Sequence, residues 1–336
     1  MNIQKAASLK SHNTFGIDAI GDLAVFQSTE ELPALMEKTT HQPTLILGGG
    51  SNLLFTQNPI GWLWKNEIKG IEVLDENEDN VIVRSGAGEN WHQFVLHCLR
   101  NNWGGLENLS LIPGKVGASP MQNIGAYGVE IKDIFHSLQA IRISDGLLVE
   151  FDNQSCAFGY RESVFKRKLK DQYIIVSVSF RLSKRNHVLK TGYGDIQKEL
   201  EIAAISQPSI QDVSRAVIAI RSSKLPDPNM LGNAGSFFKN PVVSTSIADS
   251  IQEKHPELVS YPAGDSAVKL AAGWLIEKAG WKGFRRNDAG VHARQALVLV
   301  NYGEATGKEI WQLSEDILLD VQAKFGVTLE REVNII

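Results

Sequence analysis

The stretch Ser110–Gly128, SLIPGKVGASPMQNIGAYG, constrains the fold of this chain more than any other part of the sequence. It holds four glycines, two prolines and a single charged residue, Lys115, so it is unlike a helix, a strand or a solvated linker. Its apolar residues argue against disorder, which goes with low hydrophobicity and high charge. Long ordered loops are usually binding loops. We therefore predict that it wraps a flat cofactor with a phosphate tail; a structural loop under a sheet edge is the alternative.

A second glycine turn, GGGSN over Gly48–Asn52, directly follows Thr44–Leu47, an apolar run that is typical of a buried strand. The backbone N–H groups of such a turn can bind an anion. Leu53 stands where the dinucleotide-binding fingerprint requires glycine or alanine, and no Gly-Lys-Ser/Thr follows, which excludes the Rossmann and P-loop patterns. Two glycine-rich loops together favour a cofactor with both a diphosphate and a ring system.

Composition limits the remaining classes of function. A chain of 336 residues is long enough for about two domains, and its formal net charge of −4 provides no basic surface for nucleic acid. Cys98 and Cys156 follow no redox or metal spacing, so we expect buried, reduced thiols and a cytoplasmic protein. The histidines show no metal-ligand spacing, so no metal site is expected. Neither a signal peptide nor a membrane span is recognisable, so we expect no membrane partner.

Periodicity and capping residues predict a mixture of helices and strands. Asn90 is placed to cap a helix that runs to about Asn101, and Asp145-Gly146 indicates a hairpin between two strands. A helix is expected over Ala267–Ala279. A capping box at Thr306–Glu309 predicts a further helix, and a final strand is expected over Val327–Val333.

Eight blocks of the sequence resemble, in the same order, one flavoenzyme family: the UDP-N-acetylenolpyruvoylglucosamine reductases, also called UDP-N-acetylmuramate dehydrogenases, in their type I branch. These blocks are NTFGI (Asn13–Ile17), GGGSNLL (Gly48–Leu54), IPGKVGASPMQNIGAYG (Ile112–Gly128), FGYRES (Phe158–Ser163), IRSSKLPDP (Ile220–Pro228), NAGSFFKNP (Asn233–Pro241), KLAAGWLIEKAGWKG (Lys269–Gly283) and LEREV (Leu329–Val333). The resemblance covers essentially the whole chain. It implies an α+β protein with a vanillyl-alcohol-oxidase/PCMH-type FAD-binding fold and a smaller α+β substrate-binding domain.

The resemblance, together with the prolines at Pro226 and Pro228, implies three parts of the chain. Residues 1–68 are expected to form the first FAD-binding subdomain, joined by a C-terminal strand over 327–336. Residues 69–225 are expected to form the second FAD-binding subdomain, and residues 226–326 the substrate-binding domain.

The reaction that the resemblance implies is NADPH-dependent reduction of UDP-N-acetylglucosamine enolpyruvate to UDP-N-acetylmuramate, in the synthesis of peptidoglycan precursors for the cell wall. NADPH reduces a non-covalent FAD, which then passes hydride to the methylene carbon of the substrate. The residues implied to bind FAD are Gly48, Gly49, Gly50, Ser51, Asn52, Leu53, Ile112, Gly114, Gly117, Ser119, Pro120, Asn123, Gly125 and Ala126.

Three residues are implied to act on the enolpyruvyl group. Ser236 resembles the family's proton donor, although Asn-Ala-Gly-Ser read without the resemblance is a helix-capping turn. Arg161 resembles the arginine that binds the substrate carboxylate, for which a planar guanidinium is well suited. Glu332 resembles the glutamate that partners the same carboxylate. Burial beside that negative charge is expected to raise the pKa of Glu332, so that its neutral form donates a hydrogen bond.

The remaining matched positions are implied to hold the nucleotide-sugar. They are Tyr127, Tyr160, Tyr193, Arg221, Lys224, Asn240 and Gln295. The expected partners are therefore this small-molecule substrate and NADPH, with no nucleic acid and no membrane, and we expect a monomer. Two alternatives stay open: an oxidase on the same flavin fold, and a flavin or nucleotide-sugar binding protein without catalysis.

Overall fold

A computed structural model of the protein describes residues 1–39, 43 and 45–336. The described chain divides into two compact units, each with its own sheets. Unit 1 comprises Met1–Ala7, Gly21–Gly49 and Ile60–Ser223, and unit 2 comprises Ser8–Ile20, Gly50–Pro59 and Lys224–Ile336.

The chain contains both strands and helices, and most of its sheets are antiparallel, as in an α+β protein. The strands are β1 (Asn2–Ser8), β2 (Ile20–Phe26), β3 (Leu45–Leu47), β4 (Leu53–Leu54), β5 (Trp62–Asn66), β6 (Ile71–Glu76), β7 (Asn80–Gly86), β8 (Gly125–Ala126), β9 (Val129–Glu130), β10 (Phe135–Arg142), β11 (Leu148–Asp152), β12 (Tyr173–Ser183), β13 (Gly232–Ser236), β14 (Val242–Ser244), β15 (Ser260–Pro262), β16 (Ala267–Leu270), β17 (Arg285–Arg286), β18 (Ala289–Val291), β19 (Val298–Asn301) and β20 (Asn334–Ile335). The α-helices are α1 (Leu32–Lys38), α2 (Trp91–Arg100), α3 (Asn153–Cys156), α4 (Ile196–Ile202), α5 (Ile210–Lys224), α6 (Thr245–Lys254), α7 (Ala272–Lys278) and α8 (Gly307–Phe325).

Unit 1 is built on two larger sheets. One has the strand order β11-β10-β12-β7-β6 and is antiparallel throughout. Its core includes Trp91 and Phe94 of α2, which pack against Phe180 of β12 with ring centroids 5.8 and 5.2 Å from that of Phe180. The other sheet has the order β1-β2-β5-β3, in which β5 runs parallel to both β2 and β3. Strand β3 ends at the glycine turn, so this sheet positions Gly48 and Gly49.

Unit 2 is built on smaller sheets. Strands β13-β19-β18-β17 form one antiparallel sheet, and α8 contacts β18 and β19. Strands β14-β16-β15 form a second antiparallel sheet, while the short β4 and β20 pair in parallel. The sheet that contains β13 positions Ser236, and the β4–β20 pair brings the second glycine turn beside the end of the chain.

Local sequence signals predicted several elements correctly. Asn90 caps α2 by accepting a hydrogen bond from the backbone N–H of Gln93. Strands β10 and β11 form the predicted hairpin. The capping box of Thr306 and Glu309 is present at the start of α8, which ends before Gly326 in the left-handed conformation. The predicted strand before the glycine turn is present as β3; its expected first residue, Thr44, lies outside the described residues.

Two predicted elements were wrong. The expected helix over Ala267–Ala279 is a strand, β16, followed by the shorter helix α7, because Val268 pairs with Val243 on one side and Pro262 on the other. Such pairing with distant segments overrides local helix preference. The expected strand over Val327–Val333 forms only one bridge, at Arg331, and regular pairing begins later, at β20.

Both cysteines are buried and unpaired, as predicted. Burial raises the pKa of the Cys98 thiol and raises that of Cys156 to about 12, so both stay in the unreactive thiol form. Among the helices of the described residues, none combines the length and apolar character that crossing a membrane requires.

Candidate functional site

The loop Ser110–Gly128, which we call the cofactor loop, uses its glycines in two ways. Gly114 and Gly128 have φ angles of 115° and 80°, which favour glycine. Gly117 is required for close packing, since a Cβ there would lie 2.5 Å from the Cβ of Ala87. Gly125 is similar, because a Cβ would lie 2.8 Å from the carbonyl oxygen of Val129. The loop is therefore a folded structure with short 3₁₀ turns and the two-residue strand β8 rather than a free linker.

Buried polar side chains hold the cofactor loop in place. Asn123 is fully buried in the left-handed conformation; its amide nitrogen donates to the Glu130 carboxylate and to the Gly159 carbonyl, each at 3.0 Å. Its amide oxygen accepts from the backbone N–H of Lys132. Ser119 is also buried and donates to the carbonyl of Val116. These two side chains therefore hold the loop in its conformation.

Arg161 lies beside the cofactor loop within unit 1. Its guanidinium donates to the carbonyl of Gly125 at 2.6 Å and lies 3.9 Å from the Glu130 carboxylate. The same guanidinium stands over the ring of Tyr160, 5.3 Å from its centroid. Arg161 also has a φ of 56°, an uncommon backbone conformation for a residue with a side chain. Strain of this kind clusters at binding and catalytic sites.

Two tyrosines, Tyr127 and Tyr193, lie where the C-terminal end of the cofactor loop meets the segment around Gly194. A Cβ on Gly194 would lie 3.6 Å from the Tyr127 ring, and one on Gly128 would lie 3.4 Å from the Cβ of Tyr193. The amide of Asn108 joins the two segments by donating to the carbonyl of Tyr127 at 2.9 Å and to the carbonyl of Lys190 at 2.8 Å. The segments that carry the predicted substrate residues Tyr127 and Tyr193 are thus in contact.

Arg221 of α5 reaches the start of the cofactor loop. Its Nε donates to the carbonyl of Leu111 at 3.3 Å. Burial lowers the pKa of Arg221, and the Tyr127 side chain, which hydrogen-bonds to it, partly offsets that effect. His92 lies close by, and its Nδ1 accepts from the backbone N–H of Leu111 at 3.0 Å. Burial lowers the pKa of His92, and the charge of Arg221 lowers it further.

A cavity of about 140 Å³ opens within unit 1 where β3, the glycine turn and the cofactor loop meet. Its walls include Leu47, Gly48, Lys115, Gly117 and Tyr173. The slot is mainly apolar, with glycine backbone, the cation of Lys115 and the anion of Asp171 in its walls. Glycine backbone, a cation and apolar walls are what a cofactor with both a ring and phosphates requires. The residues present in unit 1 therefore fit FAD.

In unit 2, the second half of the glycine turn is fastened to main chain. Gly50 has a φ of 63°, and a Cβ there would lie 2.0 Å from the carbonyl oxygen of His12. The carbonyl of Gly50 accepts from the backbone N–H of Thr14 at 3.1 Å. The Thr14 carbonyl in turn accepts from the backbone N–H of Asn233 at 3.0 Å. Thr14 thereby links the glycine turn to the strand that ends at Ser236.

Ser236 stands at the end of β13, next to a bulge. The pairing of β13 with β19 shifts register between Asn233 and Ser236, and Gly235 within this shift has a φ of 71°. The buried side chain of Asn233 holds the bulge by accepting from the backbone N–H of Gly235 and donating to the carbonyls of Pro226 and Leu231. Ser236 is exposed at this bulge, between the half-buried Gly235 and the buried Phe237. Bulges often orient a side chain in this way beside an active site.

Glu332 is brought to the same region of unit 2 by main-chain pairing. Its backbone N–H donates to the carbonyl of Phe237, the residue that follows Ser236. Its carbonyl accepts from the side-chain amide of Asn52 at 3.2 Å. Glu330 points to solvent and pairs with the buried Lys239 at 2.5 Å. Of the two glutamates, Glu330 is therefore the exposed one, whereas Glu332 is half-buried.

Two of the predicted substrate residues lie against the start of α7. The side-chain oxygen of Asn240 accepts from the backbone N–H of Ala272 at 2.9 Å. The side-chain oxygen of Gln295 lies near Gly273, where an added Cβ would come within 3.1 Å of it. Lys224 is the exposed last residue of α5.

The predicted site residues divide between the units. Those in unit 1 are Gly48, Gly49, Ile112, Gly114, Gly117, Ser119, Pro120, Asn123, Gly125, Ala126, Tyr127, Tyr160, Arg161, Tyr193 and Arg221; those in unit 2 are Gly50, Ser51, Asn52, Leu53, Lys224, Ser236, Asn240, Gln295 and Glu332. Sequence reasoning missed three supporting residues, Thr14, Asn108 and Asn233. For Thr14 and Asn233, position within the NTFGI and NAGSFFKNP blocks was the available signal.

Comparison with known proteins matches the chain along its whole length. Residues 227–336 match the family model of the UDP-N-acetylenolpyruvoylglucosamine reductase C-terminal domain, and residues 23–152 match that of an FAD binding domain. The UDP-N-acetylenolpyruvoylglucosamine reductase of Flavobacterium johnsoniae is 52% identical, with 100% of each chain covered. The protein of the same name from Pseudomonas aeruginosa is 49% identical, with 100% of this chain and 99% of that protein covered.

A solved structure shows the same fold. The crystal structure of the UDP-N-acetylenolpyruvylglucosamine reductase from Thermus caldophilus matches with a TM-score of 0.68 at 23% sequence identity, and the match covers 100% of this chain and 99% of that one. The predicted α+β fold with an FAD-binding domain is therefore confirmed.

Proposed function

Because this chain belongs to the UDP-N-acetylenolpyruvoylglucosamine reductase family, we propose that Ser236, Arg161 and Glu332 carry out the family's reaction here. The protein is an FAD-containing oxidoreductase of peptidoglycan precursor synthesis. Its reaction is the NADPH-dependent reduction of UDP-N-acetylglucosamine enolpyruvate to UDP-N-acetylmuramate. The proposal concerns which residues of this chain bind, orient and protonate the substrate.

FAD, when bound, supplies the hydride that it receives from NADPH. Addition of hydride to the methylene carbon pushes electrons toward the substrate carboxylate, so one proton must reach the carbon that bears the ether oxygen. The protein therefore needs a proton donor at that carbon and groups that stabilise a carboxylate gaining charge.

Ser236 is proposed as the proton donor. Its hydroxyl is exposed at the bulge, while Phe237, Phe238 and Lys239 after it are buried. A serine is an adequate acid here because the carbon that it protonates is strongly basic once hydride has added. The small residues Ala234 and Gly235 leave room for the substrate to approach the backbone. The observation that carries this role is the bulge that exposes Ser236 alone in a buried segment.

Arg161 is proposed to bind the substrate carboxylate. Its guanidinium has five N–H donors, so it can bind a carboxylate while it keeps its hydrogen bond to Gly125. The bond to Gly125 and the stack on Tyr160 fix its orientation before substrate arrives. Preorganised donors of this kind stabilise developing charge without reorganisation.

Glu332 is proposed to donate a hydrogen bond to the same carboxylate. Its position is set by main-chain pairing with Phe237, so its backbone is held next to that of the proton donor. Glu330 is the less suitable candidate, since its carboxylate is 68% exposed and neutralises Lys239.

The finer features of the protein are also proposals. Tyr127, Tyr160, Tyr193, Arg221, Lys224, Asn240 and Gln295 are proposed to hold the nucleotide-sugar. We propose residues 1–68 with 327–336 and residues 69–225 as the FAD-binding subdomains, and residues 226–326 as the substrate-binding domain. A cytoplasmic monomer without membrane or nucleic-acid partners is proposed from the acidic charge and the reduced thiols.

The absorption spectrum of the purified protein tests this function. We expect flavin bands that NADPH bleaches under anaerobic conditions and that the enolpyruvyl nucleotide-sugar restores. An oxidase would instead regain its bands with oxygen as fast as with substrate. A binding protein without catalysis would show bands that NADPH does not bleach. Either of these two results would contradict the proposed function.

A further inference from the structure

Lys115 lies in the wall of the unit 1 cavity and packs closely on the glycine turn. A Cβ on Gly48 would lie 3.6 Å from both Cβ and Cγ of Lys115, so the stem of the lysine covers that glycine. Its ammonium lies 3.1 Å from Oε2 of Glu67, and the side chain is 17% exposed. Lys115 is therefore a partly buried residue whose stem packs on glycine backbone in the wall of a mainly apolar cavity.

Two further lysines lie at the carboxylate that holds Lys115. Lys65 lies 3.3 Å and Lys69 3.6 Å from the carboxylate of Glu67, which also holds Lys115. Lys69 in addition lies 3.8 Å from Glu89. Among the described residues, three ammonium groups thus lie around the carboxylate of Glu67.

The environment of Lys115 lowers its pKa and so disfavours its charged form. Burial lowers its pKa, Glu67 partly restores it, and Lys69 lowers it again. The carboxyl of Glu67 behaves in the opposite way: burial acts to raise its pKa, but Lys115, Lys65 and Lys69 hold it below its usual range. A lysine in this state gains from an additional anion, because the anion stabilises its charged form.

We propose that Lys115 is a cofactor-positioning residue whose ammonium, oriented by Glu67 in the cavity wall, pairs with the diphosphate of bound FAD. The proposal rests on FAD as the cofactor. The stem of Lys115 packs on Gly48, and both residues line the same cavity, so phosphates bound there would meet peptide N–H groups and the charge of Lys115 in one cavity. The apolar part of the cavity beyond Lys115 is left for a ring of the cofactor.

A structural role for the Lys115–Glu67 pair predicts a different pattern of mutant effects. If the pair only supported the fold, removing either partner would weaken FAD binding through the same loss of structure. If Lys115 binds the diphosphate, Lys115→Met removes the attraction but keeps the stem on Gly48, whereas Glu67→Gln removes a negative charge that competes with the phosphates. The two substitutions then act in opposite directions.

Titration of the full-length, flavin-stripped protein with FAD, followed by flavin fluorescence, measures these effects. We expect Lys115→Met to weaken FAD binding by about tenfold to a hundredfold, as for the loss of a hydrogen bond to a charged group. The dependence of FAD affinity on salt should become shallower in that variant. Glu67→Gln should leave FAD affinity unchanged or increase it. Lys65→Met is the matched control, since Lys65 contacts the same carboxylate but does not line the cavity.

Thermal unfolding of each stripped variant separates binding from folding. The proposal is overturned if Lys115→Met leaves FAD affinity unchanged, if Glu67→Gln weakens it as much as Lys115→Met does, or if Lys65→Met has the same effect as Lys115→Met. None of these results bears on Ser236, whose role is measured by reoxidation of flavin that is already bound.

Discussion

The cofactor loop of unit 1 and the segment Gly232–Asn240 of unit 2 both place functional residues on irregular backbone, but different interactions hold them. In the cofactor loop, side chains such as Asn123 bond to main chain. Gly232–Asn240 also has one such side chain, Asn233, but most of its bonds join main chain to main chain. Phe237 donates to Leu297 and accepts from Glu332, and Lys239 donates to Glu330.

The backbone conformations of the two regions differ in the same sense. Leu111, Asn123 and Tyr127 of the cofactor loop all have positive φ, at 59°, 45° and 49°. Each such residue costs about 1 kcal/mol or more relative to a relaxed backbone. In Gly232–Asn240 the positive φ falls on Gly235, where it costs little. The cofactor loop is therefore a strained structure that buried side chains stabilise, whereas the segment with Ser236 is formed largely by its sheet.

The largest expected effect tests the main-chain anchoring in unit 2. Gly50→Ala would place a Cβ 2.0 Å from the His12 carbonyl oxygen, in addition to the cost of its positive φ. Gly16→Ala is the matched control, with a φ of 66° and no atom within 4 Å of the added Cβ. Chemical unfolding should show a loss of about 1 kcal/mol for Gly16→Ala and about 2 kcal/mol or more beyond that for Gly50→Ala. Equal losses would show that the turn is not anchored at His12.

One buried asparagine in each region can be substituted to test whether the two regions have different roles. Asn123→Gly removes the side-chain bonds of the cofactor loop without a φ penalty, and Asn233→Ala removes the bonds that hold the bulge. Each should lower stability by about 1–3 kcal/mol. We expect Asn123→Gly to weaken FAD binding with little change in substrate reoxidation of the bound flavin.

Asn233→Ala should have the opposite profile: normal FAD affinity and slow reoxidation by substrate. Fluorescence titration with FAD and stopped-flow reoxidation measure the two quantities on the same preparations. If both variants lose FAD affinity equally, the division of roles between the two regions is wrong.

The smallest effect concerns pH. The folded pKa of His92 lies below the unfolded value of 6.5, because of burial and then Arg221. Above pH 6.5 both states are neutral and stability does not change. As pH falls through 6.5 toward the folded pKa, the unfolded chain binds the proton more readily, so stability is lost. Protonation of folded His92, which its lowered pKa confines to pH values below 6.5, removes the acceptor of the Leu111 N–H, so FAD binding should weaken there as well.

A pair of histidine variants localises the pH effect. His92→Asn keeps an acceptor for Leu111 and should flatten the fall of FAD affinity below pH 6.5. The pKa of His292 in unit 2 is lowered by burial and then by Arg294, so His292→Asn should reduce the pH dependence of stability alone. The contrary finding would be a pH dependence of FAD affinity that His92→Asn does not change.

Elements with local signals could be predicted from the sequence. The capping box of Thr306 and Glu309 and the turn at Asp145-Gly146 act within a few residues, so their effects are visible in a short window. Strand β16 could not be predicted in this way. Its pairing with Val242–Ser244 depends on residues far along the chain, and periodicity alone resembles that of a helix.

The sequence could predict which loops form the candidate site, but not which residues hold those loops in place. The glycine-rich loops indicated a cofactor because glycine permits backbone geometry that other residues do not. Thr14 joins Gly50 to Asn233 through its main chain. Almost any residue can make such main-chain bonds, so they cannot be predicted from residue type. Asn123 had a weak signal, since asparagine tolerates the left-handed conformation. Its side-chain partners depend on the tertiary fold.

The central claim is that Ser236 supplies the proton, and separating the two half-reactions of Ser236→Ala tests it most directly. In anaerobic stopped flow, we expect NADPH to reduce the bound flavin of the variant at the wild-type rate. Reoxidation by the enolpyruvyl nucleotide-sugar should slow by about 10³-fold, as for the loss of a general acid. Reoxidation at the wild-type rate would contradict the account, because another group would then be the proton donor.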